Sequence, residues 1–179
     1  CRLLSINLTT FVKNPFSKKA SFDFPKLYAI ASVAQRIMDD IIELEAEKIE
    51  RILHKIENDP EPWSIKQIEY DLWKKIYKNL LLGRRTGLSG IGLADVLAQL
   101  KIKYDSDEAL QVAEEIYKTI AKASYRTSIM LAKSRGSFPL WGLESSEFEN
   151  PFIQRIFKEL ERGVQDIYLQ SGRRNIANL

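Results

Sequence analysis

The chain has 179 residues, 45% apolar and 28% charged, and its 27 basic and 24 acidic side chains leave a net charge of +3. That near balance lacks the one-signed footprint of a nucleic-acid-binding domain, and no apolar run approaches the ~18 residues a membrane-spanning helix needs. One cysteine and one histidine allow neither an internal disulfide nor a His/Cys metal cluster, and the opening residues do not read as a secretory signal, so a reducing cytoplasm is the expected compartment.

Residues 2–8 place Leu3, Leu4, Ile6 and Leu8 beside Thr9 and Thr10. This predicts a short buried strand whose near-continuous apolar character is that of a parallel strand covered on both faces. Lys13 to Ser21 reads as a surface connection. Asp23 offers an N-cap oxygen, and Pro25 fits the first helical turn. From there Leu27, Ile30, Ala34, Ile37, Ile41 and Leu44 recur at helical spacing, and Ile49, Ile52, Leu53 and Ile56 resume the stripe. One long amphipathic helix, or two joined near Glu45, is expected to end before Asp59-Pro60-Glu61-Pro62. Ser64 and Gln67 form a capping-box pattern that opens a second helix through about Leu82, with Ile68, Leu72, Ile76 and Leu80 along one stripe.

Gly83 to Gly92 reads as a glycine-rich turn, followed by a short helix from Leu93 to Leu100. Asp105 and Glu108 cap a long helix whose stripe runs Leu110, Ala113, Ile116 or Tyr117, Ile120, Ala123, Thr127 and Leu131. Ser134 to Glu149 is rich in turn residues, and Asn150-Pro151 starts another helix carrying Phe152, Ile153, Ile156, Phe157 and Leu160. Val164 to Leu169 is a shorter apolar segment, and Ile176 to Leu179 fits the start of a second buried strand. Taken alone, the chain is one mostly α segment spanning 1–179, with strand-like ends. Both terminal strands would then lack sheet partners, an edge liability.

Three stretches exceed what a generic helical protein needs. Arg84-Arg85-Thr86-Gly87-Leu88-Ser89-Gly90-Ile91-Gly92-Leu93-Ala94-Asp95 runs on through Leu100 into Tyr104-Asp105-Ser106-Asp107-Glu108-Ala109. Cys1-Arg2-Leu3-Leu4-Ser5-Ile6-Asn7-Leu8 stands before it, and Ser171-Gly172-Arg173-Arg174-Asn175-Ile176-Ala177-Asn178-Leu179 after it. In order and spacing they resemble the catalytic subunit of ribonucleotide reductase, over the whole chain. The resemblance implies a central piece of that family's ten-stranded α/β barrel, the helical part between two barrel strands, in a polypeptide several times longer. An extein piece left by intein splicing, opening on Cys1, or a deliberately shortened chain would account equally for both ends.

In that family the cysteine opening this strand is one of two thiols that reduce the ribonucleotide, closing to a disulfide as the 2′-hydroxyl leaves as water. The resemblance therefore makes Cys1 the candidate catalytic residue, with its partner thiol and the radical cysteine upstream. Arg2-Leu3-Leu4 stands where the family commonly has small or polar residues. For the full-length protein the resemblance implies adenosylcobalamin as cofactor, the branch to which a Lys- and Glu-rich composition and intein boundaries point. It further implies a ribonucleotide substrate, an allosteric nucleotide, a thioredoxin-like or dithiol reductant, the remainder of the catalytic subunit as partner, and a homodimer as one assembly. No cofactor or metal ligand is expected within 1–179, and the isolated segment is expected to be inactive.

Each singled-out residue also has a plainer reading. A lone cysteine is ordinarily a small buried hydrophobe. Gly87, Gly90 and Gly92 run G-x-x-G-x-G, reversed from the dinucleotide fingerprint and with no strand before them. They read as close packing at a helix start, with Arg84 and Arg85 solvated or ion-paired. Ser5 and Asn7 read as bonding neighbouring backbone, although one of them could face a cavity beside Cys1. Arg173, Arg174 and Asn175 could reach a phosphate, but read first as fixing their loop through carboxylates or carbonyls. His54 reads as solvated surface, and Trp63, Trp73 and Trp141 as packing. The alternative to an enzyme segment is a helical interaction or scaffold module without chemistry, using the same apolar stripes.

Overall fold

The computed structural model describes residues 2–142 and 150–178. At its centre is a three-stranded sheet. Strand β1 (Arg2–Asn7) lies parallel to β4 (Thr86–Ile91), with Arg2 opposite Thr86 and Asn7 opposite Ile91. Strand β5 (Ala177–Asn178) lies parallel along the other side of β4, giving the order β1-β4-β5. Parallel neighbours need long crossovers. Helices α1 (Phe24–Glu57) and α2 (Trp63–Gly83) make the first, and α3 (Leu93–Leu100), α4 (Asp107–Arg135), α5 (Pro151–Lys158) and α6 (Arg162–Ser171) the second. A small hairpin of β2 (Val12–Lys13) and β3 (Ser21–Phe22) precedes α1 and clasps the two ends of the Lys13–Ser21 segment expected to be a plain connection.

The glycine-rich run is therefore not a turn. Thr86 to Ile91 is the central strand, and it supplies the partner that both terminal strands were expected to lack. Glycine disfavours strands in general, but a glycine in a strand often marks close approach of other atoms. Here a Cβ on Gly90 would sit 2.9 Å from Leu8 Cδ1, so the fully buried Leu8 occupies the space a larger side chain would need.

Helix α1 is a single 34-residue rod, about 51 Å long at 1.5 Å per residue. Asp23 accepts from the Lys26 N–H at its start, and Pro25 stands in the first turn, as expected. Its buried face is Leu27, Ala31, Ala34, Met38, Ile42, Ala46 and Ile49. Ile30, Ile37, Ile41 and Leu44, expected on that face, instead stand between 40% and 62% exposed. The small residues Ala31 and Ala34 let α1 lie close on the sheet, and the larger residues one position away flank the contact. In the same way Ile68, Leu72 and Ile76 of α2 are exposed, and only Leu80 of that stripe is buried. No side chain caps α2, so Ser64 is an ordinary first-turn residue. The cap of α4 is Ser106, one residue after the expected Asp105, which itself takes a left-handed φ of 65°.

The main core lies between one face of the sheet and the helices α1 and α4: Ile6, Leu8, Phe11, Leu27, Ala31, Met38, Leu88, Val96, Ile116 and Ile120. Helices α1 and α2 form a hairpin with its own core, Ile42, Ala46, Ile49 and Leu80 against Leu53, Trp73 and Tyr77. Helices α5 and α6 pack on α4 through Ile153 and Ile156 against Ala121 and Tyr125, and through Leu160, Val164 and Tyr168 against Ile129. Among the described residues no helix is long and apolar enough to cross a membrane.

The other face of the sheet is uncovered. Leu3, Ser5 and Asn7 on β1 and Ser89 and Ile91 on β4 are exposed, Leu3 to 81% and Ile91 to 54%. A parallel sheet is ordinarily covered on both faces.

Candidate functional site

Two features meet at the amino ends of the strands. The first is a buried polar cluster. Asp39 of α1, with no exposed surface, accepts from Arg84 Nη2 at 2.7 Å, Asn175 Nδ2 at 2.7 Å and Arg135 Nη1 at 2.8 Å. One turn earlier on α1, Gln35 donates to Thr86 Oγ1 and Asn175 Oδ1 and accepts from Ser124 Oγ. Ser128 accepts from the Asn175 backbone N–H, and Glu43 bonds both Arg84 and Arg174. Burial alone would push the Asp39 carboxyl up, but the hydrogen bonds from Arg84, Asn175 and Arg135 outweigh it and hold the group below its ordinary 3.8. This cluster has a positioning geometry. It fastens the residues just before β4 and β5 to α1 and α4, with Asp39 and Glu43 set against Arg84, Arg135 and Arg174.

The second feature is the start of β1. Arg84 takes a left-handed φ of 44° as the cap of α2, so the chain turns sharply there and enters β4. The Arg85 carbonyl then accepts from the Arg2 N–H, and the Arg2 guanidinium pairs with Glu45 of α1. A cleft of about 280 Å³ opens at this corner, lined by Arg2, Glu45, Ile76, Asn79, Leu80 and Arg85. On the uncovered face, Ser5 and Ser89 share a hydroxyl–hydroxyl hydrogen bond of 2.9 Å. Cys1, the candidate thiol, lies outside the described residues.

Comparison with known proteins decides the family. The model of the ribonucleotide reductase barrel domain matches residues 1–169. The chain belongs to that family. It is 32% identical over 154 residues, 86% of its length, to a vitamin B12-dependent ribonucleoside-diphosphate reductase from Thermoplasma acidophilum. It is 30% identical over 139 residues to the enzyme of the same name from Mycobacterium tuberculosis, and 28% over 144 residues to a ribonucleoside-diphosphate reductase large subunit of African swine fever virus. Those alignments cover 78% of the chain in each case. The chain spans only 16%, 16% and 14% of these relatives, so it corresponds to one part of a reductase large subunit.

Against this reductase segment, the residues singled out from the sequence fall into place unevenly. Arg174 and Asn175 fix their loop through Glu43, Asp39 and the carbonyls of Arg135 and Gly136, as expected. Arg173 donates to the Asn175 carbonyl and lies over the rings of Tyr125 and Phe138. Asn7 does bond neighbouring backbone, accepting from Thr9 N–H, whereas Ser5 bonds Ser89 across the open face. Arg84 is buried and paired, and Arg85 is exposed. His54 is exposed and bonded to Asn58. Trp141 packs on Tyr168, Trp73 joins the hairpin core, and Trp63 meets Tyr70 with the rings tilted by 60° while 45% exposed. Asp39, Gln35, Glu43 and Ser89 were not singled out. Asp39 and Gln35 carried one usable signal, since they are polar residues on the inward turn of an amphipathic helix. Among the described residues no group of three or more His, Cys, Asp or Glu could hold a metal ion.

Proposed function

We propose that residues 1–179 form part of the catalytic barrel of a full-length ribonucleoside reductase, and that Cys1 is one of the two thiols that supply its electrons. The carrying observation is the parallel sheet that helices cover on one face only. Odd-numbered positions of β1, namely Leu3, Ser5 and Asn7, look onto the open face, and even-numbered ones pack on α1. Cys1 immediately precedes this strand in the sequence, and the open face supports a barrel interior, closed by the rest of the polypeptide, in which its thiol would act. A self-contained helical module gains nothing from a one-sided parallel sheet, so the scaffold alternative is not favoured.

The reaction consumes two thiols. The 2′ C–O bond of the ribonucleotide breaks, the hydroxyl leaves as water, a C–H bond takes its place, and the two sulfurs close to a disulfide. The described residues contribute position. The Arg85 carbonyl accepts from the N–H of Arg2, the residue that follows Cys1, and Glu45 pairs with its guanidinium, while Asp39 fixes the neighbouring Arg84. An external dithiol or thioredoxin-like reductant then reopens the disulfide. The names of the relatives support a ribonucleoside diphosphate as substrate and adenosylcobalamin as the radical source of the full-length enzyme. A cavity of about 640 Å³ lies between β4, α4 and α5, with Leu88, Ile120 and Phe152 at its apolar wall and Glu114, Arg155 and Glu159 among its charged lining. The test is Cys1→Ser in the full-length protein, which should retain substrate binding and lose multiple turnover with a dithiol reductant. Unchanged turnover would remove the assigned role.

A further inference from the structure

We infer that the cleft at the amino end of β1 is a docking site for an acidic segment of the dithiol reductant, with Arg2 and Arg85 seating that segment beside the disulfide it reopens. The inference rests on the reading of Cys1 as one of the two redox thiols.

The cleft, about 280 Å³ in volume, is joined directly to the strand that follows Cys1. Its two guanidinium-bearing residues are tied together, because the Arg2 N–H donates to the Arg85 carbonyl at 3.3 Å. Cys1 is one peptide unit from Arg2, and the Cα atoms of bonded residues lie about 3.8 Å apart. A segment lodged between Arg2 and Arg85 therefore arrives next to the backbone that carries the sulfur.

The charge of this corner is not neutralised from within. Glu45 is the one carboxylate among the lining residues, and the Arg2 guanidinium pairs with it. The neighbouring acids of α1 are engaged as well, Glu43 by Arg84 and Arg174, and Glu50 by the Tyr77 hydroxyl. Among the described residues Arg85, Lys48 and Lys75 are exposed and form no ion pair. Lys48 stands three residues after Glu45 and Lys75 four before Asn79, so each shares a helix face with a lining residue. From Trp73 through Arg85 the chain carries five basic side chains and no acid. Leu44, Leu72 and Ile76 are exposed alongside these cations. Apolar surface bordered by free positive charge fits a peptide that alternates acidic and apolar side chains better than a small inorganic anion.

The chemistry of reduction gives such a site a use. A thiolate of the reductant attacks one sulfur of the protein disulfide, the S–S bond breaks, and a mixed disulfide forms as the other protein sulfur leaves as thiolate. The second reductant thiol loses its proton and displaces the remaining protein sulfur, closing the reductant's own disulfide. Two electrons pass to the protein, and the two reductant protons end on its two thiols. The nucleophile is the thiolate, which nearby cations favour over the thiol. Arg85 is thus a positioning residue that seats the acidic segment and supports the charge of the attacking sulfur.

The test uses the full-length protein with two synthetic electron donors, a Cys-Xaa-Xaa-Cys peptide flanked by glutamates and its counterpart flanked by lysines. At low salt kcat/KM for the glutamate peptide should exceed that for the lysine peptide by about tenfold, and the gap should narrow as ionic strength rises. Arg85→Glu and Lys75→Glu should each reduce that preference through KM, whereas Arg85→Lys should keep most of it. The preference is a ratio taken on one variant, so a general loss of folding or turnover cancels from it. Fluorescence anisotropy should also show Arg85-dependent binding of a glutamate peptide whose cysteines are replaced by serine. Equal kcat/KM for the two donors in the parent, a preference that survives both charge reversals, or no binding of the serine peptide would overturn the inference. Turnover retained by Cys1→Ser together with Arg85-dependent binding would fault the thiol assignment and leave the docking site standing.

Discussion

Replacing Asp39 by alanine should be among the most damaging single changes in this segment. The carboxylate is fully buried and accepts from Arg84, Asn175 and Arg135, and Arg84 is itself only 3% exposed. Removing one partner of a buried ion pair leaves an uncompensated charge, typically at a cost of about 3–5 kcal/mol. Glu43 remains 2.6 Å from Arg84 Nη2 but is itself half exposed, which places the expected loss near the low end, about 3 kcal/mol. For a domain of this size that corresponds to a fall in Tm of roughly 6–12 °C. Asp39→Asn keeps the volume and one acceptor and should lose about 2 kcal/mol, the worth of a hydrogen bond to a charged group. Urea unfolding of the parent and both variants measures these values. The pH dependence adds a second check. Because the folded-state pKa of Asp39 is held below its unfolded value of 3.8, its contribution is complete above the unfolded pKa and is lost as pH falls through the folded one. The difference between parent and Asp39→Asn should accordingly be flat from neutral pH down to the ordinary carboxylate range and shrink only below it. A loss under 1 kcal/mol for Asp39→Ala, or a difference that grows on acidification, would refute the reasoning.

Gly90→Ala should destabilise by about 1–3 kcal/mol through overpacking against the buried Leu8, whose Cδ1 lies 2.9 Å from the added methyl position; thermal melts read this directly, and a neutral result would show that Leu8 can move. Ser106→Ala should cost about 1 kcal/mol through loss of the α4 cap, because the Ala109 N–H donates to Ser106 Oγ, and Ser106→Asp, which keeps an acceptor there, should restore most of it. Ser5→Ala and Ser89→Ala, combined in a double-mutant cycle, should show a coupling of no more than about 1 kcal/mol, as for a hydroxyl pair open to water. A coupling of several kcal/mol would mean that the open face is sealed more tightly than the exposed Ser5 and Ser89 indicate.

The helices were legible because their punctuation is local: Asp23 with Pro25, and Asn150 with Pro151, mark starts by side chains within a few residues of the backbone they bond. Burial was less legible. Periodicity identified α1 as amphipathic and placed Leu27 and Ala34 inside, but could not choose between Ile30, Ile37 and Ile41 and the neighbouring Ala31, Met38 and Ile42, since a close helix–sheet contact is set by fit that no hydrophobicity pattern ranks. The central strand was missed for the same kind of reason. Thr86-Gly87-Leu88-Ser89-Gly90-Ile91 has turn composition, and only Leu8, distant in sequence, makes Gly90 a requirement of a strand. The Asp39 cluster joins residues up to 136 positions apart, so no window of the sequence contains it. Family membership, by contrast, was carried by short ordered motifs that survive where packing is unreadable.

The claim that Cys1 is a redox thiol is tested most directly by mapping sulfur oxidation in the full-length reductase after a single turnover without external reductant. Peptide mass spectrometry should find Cys1 in a disulfide with a second cysteine from outside these 179 residues, in amounts that track deoxyribonucleotide formed. Product formed while Cys1 stays reduced and open to alkylation would contradict the account.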